Sequence, residues 1–410
     1  MMQCRHCGST EFIPFLDLGE APPSNSYLDA DDLARPEKRY PLVIRTCTEC
    51  WLTQTEDFAD REEFFSGDYA YFSSFSKTWL DHARAYVETM RERFDLGPDS
   101  LVAEVAANDG YLLQYVRELG IPCYGIEPTR STAEAARARG IEIVEEFFGQ
   151  ELGSRLAAEG RQADLIAANN VLAHVPDIND FVHGFAELLK PSGVATFEFP
   201  HLYEMVRGNQ FDTAYHEHYS YLSLLAVTRI FSANGLTVFD VETTPHHGGS
   251  LRVFACRSDH AAHQVTPNVG AMLETEREAG MNAQPFYAGF QVAAEAARDG
   301  FRAFLTDARK AGLTVAAYGA AAKGNTLLNF AGADAGEIAF VVDRNPAKQG
   351  RYMPGSRIPI VGEDRLLSDQ PDRVVILPWN IETEIRSQLA YISDWGGQFV
   401  TAIPTLRIRS

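Results

Sequence analysis

The sequence lacks any uninterrupted apolar run long enough to cross a bilayer. Its first residues also lack the basic start and the apolar core of a secretory signal peptide. The apolar fraction of 45% and the charged fraction of 22% instead match an ordinary globular chain. We therefore expect a cytoplasmic protein that has no membrane partner.

Positive charge is scarce as well. The chain has 36 Lys and Arg against 56 Asp and Glu, which gives a net charge of −20. Attraction to nucleic acid or to anionic lipid depends on the opposite balance. We expect no nucleic-acid partner, and an anionic substrate would need a local basic pocket.

Cysteine is sparse, and its placement is informative. Four of the six cysteines form two close pairs, Cys4/Cys7 and Cys47/Cys50. Paired cysteines in a long chain indicate a tetrahedral zinc site rather than a disulfide framework. Four thiolates leave no position for a reactive water, so we expect structural zinc. A zinc ribbon that contacts nucleic acid is the rival interpretation, and the acidic balance disfavours it.

At 410 residues the chain is too long for one ordinary core. From residue 101 onwards short apolar runs, such as those over 101–105 and 122–126, alternate with helical periodicity. This alternation predicts a doubly wound parallel sheet, closed by a hairpin edge at 247–257. A helical stretch over 268–311 then precedes a second alternating series. We predict an α/β protein in three parts: a metal-binding module (1–75), a central cofactor domain (76–265), and a helical connector with a second α/β domain (266–410).

The cofactor pocket is expected beyond the carboxyl ends of the central strands. The turn after the first strand runs from Glu104 to Gly110, and a glycine there permits close approach of a ligand. Glu127 ends the second strand, where a carboxylate can accept ribose hydroxyls. The turn lacks the three-glycine fingerprint of dinucleotide sites, which favours S-adenosylmethionine over NAD. The predicted cofactor-binding residues are Glu104, Ala106, Asn108, Gly110, Glu127, Asn169 and Asn170.

The run Tyr215-His216-Glu217-His218-Tyr219 crowds two imidazoles, a carboxylate and two phenols into five residues. Histidine suits a general base because its pKa lies near the working pH. A surface helix with hydrogen-bonded histidines is the plain alternative. In such a helix His216 points away from His218, so we do not expect both imidazoles to face one substrate.

These motifs occur together with Phe197-Glu-Phe-Pro-His201, His247-Gly-Gly-Ser250 and Tyr318-Gly-Ala-Ala-Ala-Lys323-Gly324. In this order they resemble, over nearly the whole chain, the sugar C-methyltransferases that act on nucleotide-linked deoxysugars. The resemblance implies a zinc-binding N-terminal module, a central class I methyltransferase sheet of Rossmann type and a second Rossmann-like domain that helps to hold the nucleotide sugar.

The resemblance also implies a reaction. A base removes the proton from C3 of a 4-keto-6-deoxy sugar, and the enolate attacks the methyl group of S-adenosylmethionine. By resemblance His218 is the base, Glu217 holds sugar hydroxyls or orients the imidazole, and Tyr215 lines the pocket. Tyr71, in preference to Tyr69, lies over the methyl-transfer site.

Five further residues are assigned to the substrate, with Lys323 as the counter-charge of a diphosphate: Asn25, His201, His247, Lys323 and Arg351. We expect the nucleotide to be thymidine-linked and the protein to be a monomer or a weak dimer. Two other functions stay open at this stage. One is an O- or N-methyltransferase in which His218 deprotonates the accepting group, and the other is a zinc-ribbon binding module with an inactive methyltransferase fold. The second α/β domain is either a nucleotide-sugar site or only a scaffold.

Overall fold

The structure is a computed structural model that describes residues 2–58, 72–260 and 262–409. It has three sheets, and the predicted α/β architecture in three parts is confirmed. Within the described residues, no helix is long and apolar enough to cross a membrane.

The N-terminal module is built on a four-stranded antiparallel sheet. Its strands are β1 (Phe12–Ala21), β2 (Tyr40–Cys47), β3 (Thr53–Thr55) and β9 (Ser220–Tyr221). The short β9 comes from far along the chain and pairs with β3, with Thr53 opposite Tyr221. The module is therefore joined to the segment that directly follows the polar run 215–219.

The central sheet has seven strands in the order β10-β11-β8-β7-β4-β5-β6. They are β4 (Val102–Val105), β5 (Cys123–Ile126), β6 (Glu142–Val144), β7 (Ala163–Asn169), β8 (Leu189–Pro200), β10 (Leu236–Thr244) and β11 (Ser250–Arg257). The strands β4 to β8 are parallel, whereas β11 runs antiparallel to both neighbours. The hairpin at 247–257 is present, but the prediction that it forms the edge is wrong because β11 lies inside the sheet and β10 forms the edge.

Helices cover both faces of this sheet, as its fully buried strands require. The helices of this part are α1 (Lys77–Arg93), α2 (Leu113–Glu118), α3 (Arg130–Ala138), α4 (Gln150–Ala158), α5 (Ile178–Leu188), α6 (Leu202–Arg207) and α7 (Leu224–Ala233). Serine and aspartate side chains cap three of them: Ser76 accepts from Trp79 N, Asp177 from Asp180 N and Ser223 from Ala226 N.

The C-terminal part begins with the connector helices α8 (Pro267–Glu278), α9 (Gln284–Ala288) and α10 (Phe290–Lys310). Its six-stranded sheet has the order β14-β13-β12-β15-β16-β17, and only β17 is antiparallel. The strands are β12 (Val315–Tyr318), β13 (Val341–Val342), β14 (Ile360–Val361), β15 (Arg373–Ile376), β16 (Gln398–Thr401) and β17 (Arg407–Arg409). The helices are α11 (Ala322–Ala331), α12 (Asp364–Asp369) and α13 (Glu382–Gln388).

One hydrophobic core joins the N-terminal module to the C-terminal part. Phe15 of β1 stacks on Phe290 of α10, with ring centroids 4.7 Å apart. Thr326 of α11 donates to the carbonyl of Ala214 at 2.7 Å. The carboxyl end of β7 and the beginning of α11 meet at a junction that we call the crevice: Asn170, directly after β7, contacts His247, and Lys323 of α11 donates to the His247 carbonyl.

Candidate active site

The four paired cysteines form a compact cluster. All four Sγ atoms lie within 4.8 Å of one another. Cys4 Sγ is 3.4 Å from Cys50 Sγ, and Cys7 Sγ is 3.6 Å from Cys47 Sγ. Four thiolates at these separations fit a tetrahedral zinc ion, which would cross-link the two cysteine turns.

The first cysteine turn docks on the central domain. Arg5 Nη1 donates to the carbonyl of Pro176 at 2.7 Å, and the guanidinium lies 5.3 Å from the ring centre of Tyr219. Asn179 Nδ2 donates to the carbonyl of His6 at 2.8 Å. The cysteine cluster is thereby held against the segment that carries the polar run.

The predicted cofactor turn follows β4. Ala106, Asn108 and Gly110 all have positive φ, so the backbone is sharply folded between the strand and α2. Glu127 fixes the turn because Oε2 accepts from Asn108 N at 2.9 Å, while Oε1 accepts from Thr129 N at 2.8 Å. Each oxygen of the Glu127 carboxylate can accept a further hydrogen bond, and its role towards ribose hydroxyls stays a prediction.

Gly110 has a different explanation from the one expected. A Cβ at this position would overlap Ile141 Cδ1 and would lie 3.3 Å from Ala136 Cβ. The missing side chain is therefore required for the packing of α3 against the turn, in addition to the positive φ.

Several buried oxygens at the strand ends accept no hydrogen bond from the described residues. They belong to Glu104, Asp109, Asn169 and Asn170. Burial raises the pKa of Glu104 well above its ordinary value, and the charges of Asp109 and Glu127 add to the rise. Unsatisfied buried acceptors fit a bound polar cofactor with its own donors, such as the ammonium group and ribose hydroxyls of S-adenosylmethionine.

The polar run is a turn, and not the surface helix that was its plain alternative. It lies between a 3-10 helix at Phe211–Thr213 and β9. His218 Nδ1 donates to the carbonyl of Thr213 at 2.9 Å, and Nε2 lies 2.7 Å from the hydroxyl of Tyr215. A carbonyl can only accept, so Nδ1 carries the proton and Nε2 is the acceptor of the phenolic hydrogen.

Burial, together with the neighbouring His174, lowers the pKa of His218 well below its ordinary value. The imidazole is therefore neutral, and Nε2 keeps a lone pair that can take a proton. Tyr215 is partly exposed whereas His218 is buried, and the Tyr215 hydroxyl covers the Nε2 atom of His218.

Glu217 and His216 point to other partners. Glu217 Oε1 accepts from Asn25 N at 3.3 Å and from Asn25 Nδ2 at 3.1 Å, and burial raises the pKa of this carboxyl. His216 Nε2 lies 3.1 Å from the carbonyl of Tyr40 in the N-terminal module. His216 is thus separate from His218 as predicted, although the reason is the turn rather than a helical period.

Two other histidines line the same region. His174 Nδ1 donates to the carbonyl of Glu217 at 2.7 Å, and its ring centre is 4.6 Å from that of His218. His247 has a positive φ of 56° and its Nε2 is 3.2 Å from Asn170 Nδ2. Burial lowers the pKa of His174 to about 4 and, with the charge of Lys323, that of His247 to about 3.

The remaining predicted substrate residues are dispersed. Lys323 Nζ donates to the carbonyl of His247 at 3.2 Å, which places it in the crevice. His201 instead pairs with the buried Glu276 at 2.7 Å, and Arg351 pairs with Asp29 at 3.4 Å. Tyr69 and Tyr71 lie outside the described residues. The chain next to them is anchored at the cofactor turn, because Ser73 N donates to Asn108 Oδ1 at 2.9 Å.

Three residues that the sequence analysis left unassigned belong to this region: His174, Asp212 and Trp379. Asp212 Oδ2 accepts from Trp379 Nε1 at 2.7 Å. His174 follows β7 and Trp379 follows β15, so both occupy the carboxyl edge of a parallel sheet. That shared position is the signal by which they could have been found.

A second cluster, formed by His82, Glu198 and His246, has the spacing of a metal site. Arg252 Nη2, however, donates to Glu198 Oε2 at 2.7 Å, and His82 Nε2 lies 2.9 Å from Glu198 Oε1. Burial raises the pKa of Glu198, but His82 and Arg252 outweigh it and lower the pKa to about 2. The guanidinium already provides the positive charge, so this cluster is a structural ion pair.

Comparison with known proteins decides the family. A zinc binding domain model matches residues 4–65, a methyltransferase domain model matches 81–241, and a C-methyltransferase C-terminal domain model matches 245–404. The chain is 35% identical over 408 residues to C-methyltransferase NovU of Streptomyces niveus, which covers 100% of this chain and 97% of that protein. The chain belongs to the C-methyltransferases.

Other similarities are partial. Ubiquinone biosynthesis O-methyltransferase of Chelativorans sp. (strain BNC1) is 30% identical over 94 residues, which cover 23% of this chain and 37% of that protein. The solved magnesium protoporphyrin IX methyltransferase of Synechocystis PCC 6803 aligns at 15% identity over 44% of this chain and 83% of that chain, with a TM-score of 0.35. That score is too low to support any inference.

The family assignment confirms the predicted enzyme class, an S-adenosylmethionine-dependent C-methyltransferase with a structural zinc module. In this C-methyltransferase the four cysteines would hold zinc, and the β4–α2 turn with Glu127 would hold the cofactor. The inactive binding module and the O- or N-methyltransferase are disfavoured, because a C-methyltransferase C-terminal domain model matches residues 245–404 and the similarity to a C-methyltransferase extends over the whole chain.

Proposed function

We propose that this C-methyltransferase transfers a methyl group to C3 of a nucleotide-linked 4-keto-6-deoxy sugar by way of an enolate. The observation that carries the proposal is the fixed, neutral imidazole of His218, with Nδ1 on the Thr213 carbonyl and Nε2 directed towards a phenol. Carbon becomes nucleophilic only after it loses a proton. A buried neutral base beside a cofactor pocket supplies that step.

His218 and Glu217 have different roles in this reaction. His218 Nε2 takes the proton once the Tyr215 hydroxyl gives up its place to the substrate. The bound S-adenosylmethionine supplies an electrophilic methyl group and leaves as S-adenosylhomocysteine. Glu217 is held by Asn25 through Oε1, and its second oxygen accepts no hydrogen bond from the described residues. This second oxygen can accept a hydrogen bond from a sugar hydroxyl.

The second α/β domain is proposed to hold the nucleotide, which we expect to be thymidine-linked. Its first strand turns into α11 at residues 319–321, at the crevice. Asp343 closes this turn by accepting from Ala320 N at 2.8 Å, while Tyr27 and Lys348 both donate to the Ala320 carbonyl, at 2.6 Å and 2.7 Å. A turn fixed in this way directs helix N–H groups at an anion.

The test is product analysis with a panel of nucleotide-linked sugars that differ in the position of the ketone. We expect methylated product only from 4-keto sugars, with the new methyl group on C3 in the NMR spectrum. The ketone acidifies C5–H as well as C3–H. A methyl group on C5 would therefore agree with an enolate mechanism but would refute C3 as the methylated carbon. A methyl group on oxygen or nitrogen would refute the proposed function.

A further inference from the structure

The half-buried Lys323 has no role in the reaction described so far except as a counter-charge for a diphosphate. Lys323 lies in the first turn of α11, and its Nζ donates to the carbonyl of His247 at 3.2 Å. The ammonium also lies 5.0 Å from the ring centre of Trp379. The charge is therefore fixed inside the crevice rather than extended into solvent.

The carboxylate of Asp212 interacts electrostatically with this ammonium. The carboxyl group is fully buried, and Oδ2 accepts from Trp379 Nε1 at 2.7 Å while Oδ1 accepts no hydrogen bond from the described residues. Burial lowers the pKa of Lys323 and the charge of Asp212 opposes that fall. The charge of Asp212 thus favours the protonated ammonium, and Trp379 contacts both the carboxylate and the ammonium.

The surroundings of Lys323 are those of the reaction centre. On one side His247 contacts Asn170, at the end of β7 and on the rim of the cofactor pocket, with 3.2 Å between Nε2 and Nδ2. On the other side Thr326, one turn further along α11, is bonded to Ala214, directly before Tyr215. The charge of Lys323 is also among the causes that lower the pKa of His218. The ammonium therefore lies between the cofactor rim and the base.

We propose that Lys323, which lies against the His247 carbonyl and the Trp379 ring, is a catalytic residue that receives the negative charge on the ketone oxygen. The inference rests on the proposed function. As the C–H bond breaks, its proton goes to Nε2 of His218 and its electron pair forms the C=C bond of the enolate. The carbonyl π pair moves onto the oxygen, which accepts a hydrogen bond from Lys323 Nζ. In the methyl transfer the electron pair of the C=C bond forms the new C–CH3 bond, and the S–CH3 bond breaks with its pair left on sulfur. The pair on the oxygen then re-forms the C=O bond.

The test separates an enolate-stabilising role from a diphosphate contact. Lys323→Met removes the charge, and Asp212→Asn keeps the shape of the partner while removing its charge. Steady-state methylation and calorimetric titration with thymidine diphosphate are measured for both variants and for the wild type. We expect Lys323→Met to lower kcat by about a hundredfold or more and to leave the Kd for thymidine diphosphate within about twofold. Asp212→Asn is expected to lower kcat in the same direction by a smaller factor.

Each contrary outcome has a distinct meaning. If Lys323→Met raises the Kd for thymidine diphosphate by tenfold or more but has the kcat of the wild type at saturating sugar, Lys323 is a phosphate contact and the inference is wrong. If Lys323→Met fails to fold, a wild-type kcat in the folded Asp212→Asn variant overturns the inference instead. If the wild type methylates none of the keto sugars, the proposed function fails, and the inference fails with it.

Discussion

At the scale of single residues, the histidines of the crevice share one property, which is that burial removes their charge. The pKa of His174 falls to about 4, and those of His218, His216 and His247 also fall. Neutral rings can accept and donate at once, so each ring is fixed by a backbone carbonyl or an amide. The same burial that keeps His218 neutral therefore makes the region sensitive to acid.

His174→Asn isolates this sensitivity. In the wild type the folded pKa of about 4 lies below the unfolded value of about 6.5, so the unfolded state binds the proton more readily. The stability that His174 contributes is present above pH 6.5 and is lost as the pH falls towards 4. The free energy of unfolding of the wild type relative to the variant should fall by about 1.4 kcal/mol per pH unit in that window.

Denaturant unfolding at several pH values measures this difference. The Asn amide can still donate to the Glu217 carbonyl, so the comparison keeps the hydrogen bond and removes the titration. A difference between wild type and variant that does not change between pH 6.5 and pH 4.5 would contradict the assigned neutral state of His174.

At the scale of elements, the buried Glu276 connects α8 to the N-terminus of α7 and to His201, the residue before α6. Its carboxylate accepts from Leu224 N at 2.6 Å and Leu225 N at 2.7 Å, and it pairs with His201 at 2.7 Å. The two backbone groups are the first N–H groups of α7, which have no partner within their own helix. A carboxylate at this helix N-terminus also interacts favourably with the helix dipole.

Glu276→Ala should therefore destabilise the protein by about 3 kcal/mol or more, because it leaves buried donors unpaired. Glu274→Ala is the matched control on the same helix, since Glu274 is exposed and pairs only with Arg277 at 3.1 Å. Its effect should be about 0.5 kcal/mol. Equal unfolding midpoints for the two variants in urea would refute the role given to Glu276.

The elements also show what could be predicted from sequence. The apolar runs of the central strands, flanked by helical periodicity, predicted β4 and β5 to within a residue or two. For residues 215–219 a surface helix was the plain alternative, and the structure shows a turn instead. The conformation of this turn depends on the distant partners Asn25 and Tyr40 as well as on the nearby Thr213. The contacts of Asn25 and Tyr40 span 192 and 176 residues of sequence, so they cannot be read from a local window.

At the scale of the whole molecule, the cysteine cluster, the central sheet and the second α/β domain meet at one crevice. Arg5 links the first cysteine turn to Pro176 and Tyr219, beside the polar run. Tyr27 of the N-terminal module bonds to Ala320 of the C-terminal part at 2.6 Å. Zinc should therefore stabilise the active-site turn as well as the module.

Cys47→Ser tests this connection. We expect about one zinc per chain in the wild type, loss of the metal in the variant, and a lower thermal midpoint. Methyl transfer should fall more than the affinity for S-adenosylhomocysteine, because Arg5 of the docked turn contacts Tyr219, the residue directly after His218. Cys123→Ser is the control, since Cys123 is outside the cluster. A wild-type preparation that contains no zinc by metal analysis would contradict the structural role of the metal.

The central claim is that His218 removes the proton from the substrate carbon next to the ketone, which leaves a carbanion stabilised as an enolate. Its most direct test is exchange of the substrate hydrogen with solvent deuterium, followed by NMR with S-adenosylhomocysteine bound so that no methyl transfer competes. The wild type should exchange C3–H of a nucleotide-linked 4-keto sugar, and His218→Asn should exchange it about a hundredfold more slowly or not at all. Equal exchange rates in the two proteins, or none in a wild type that methylates carbon, would contradict the account.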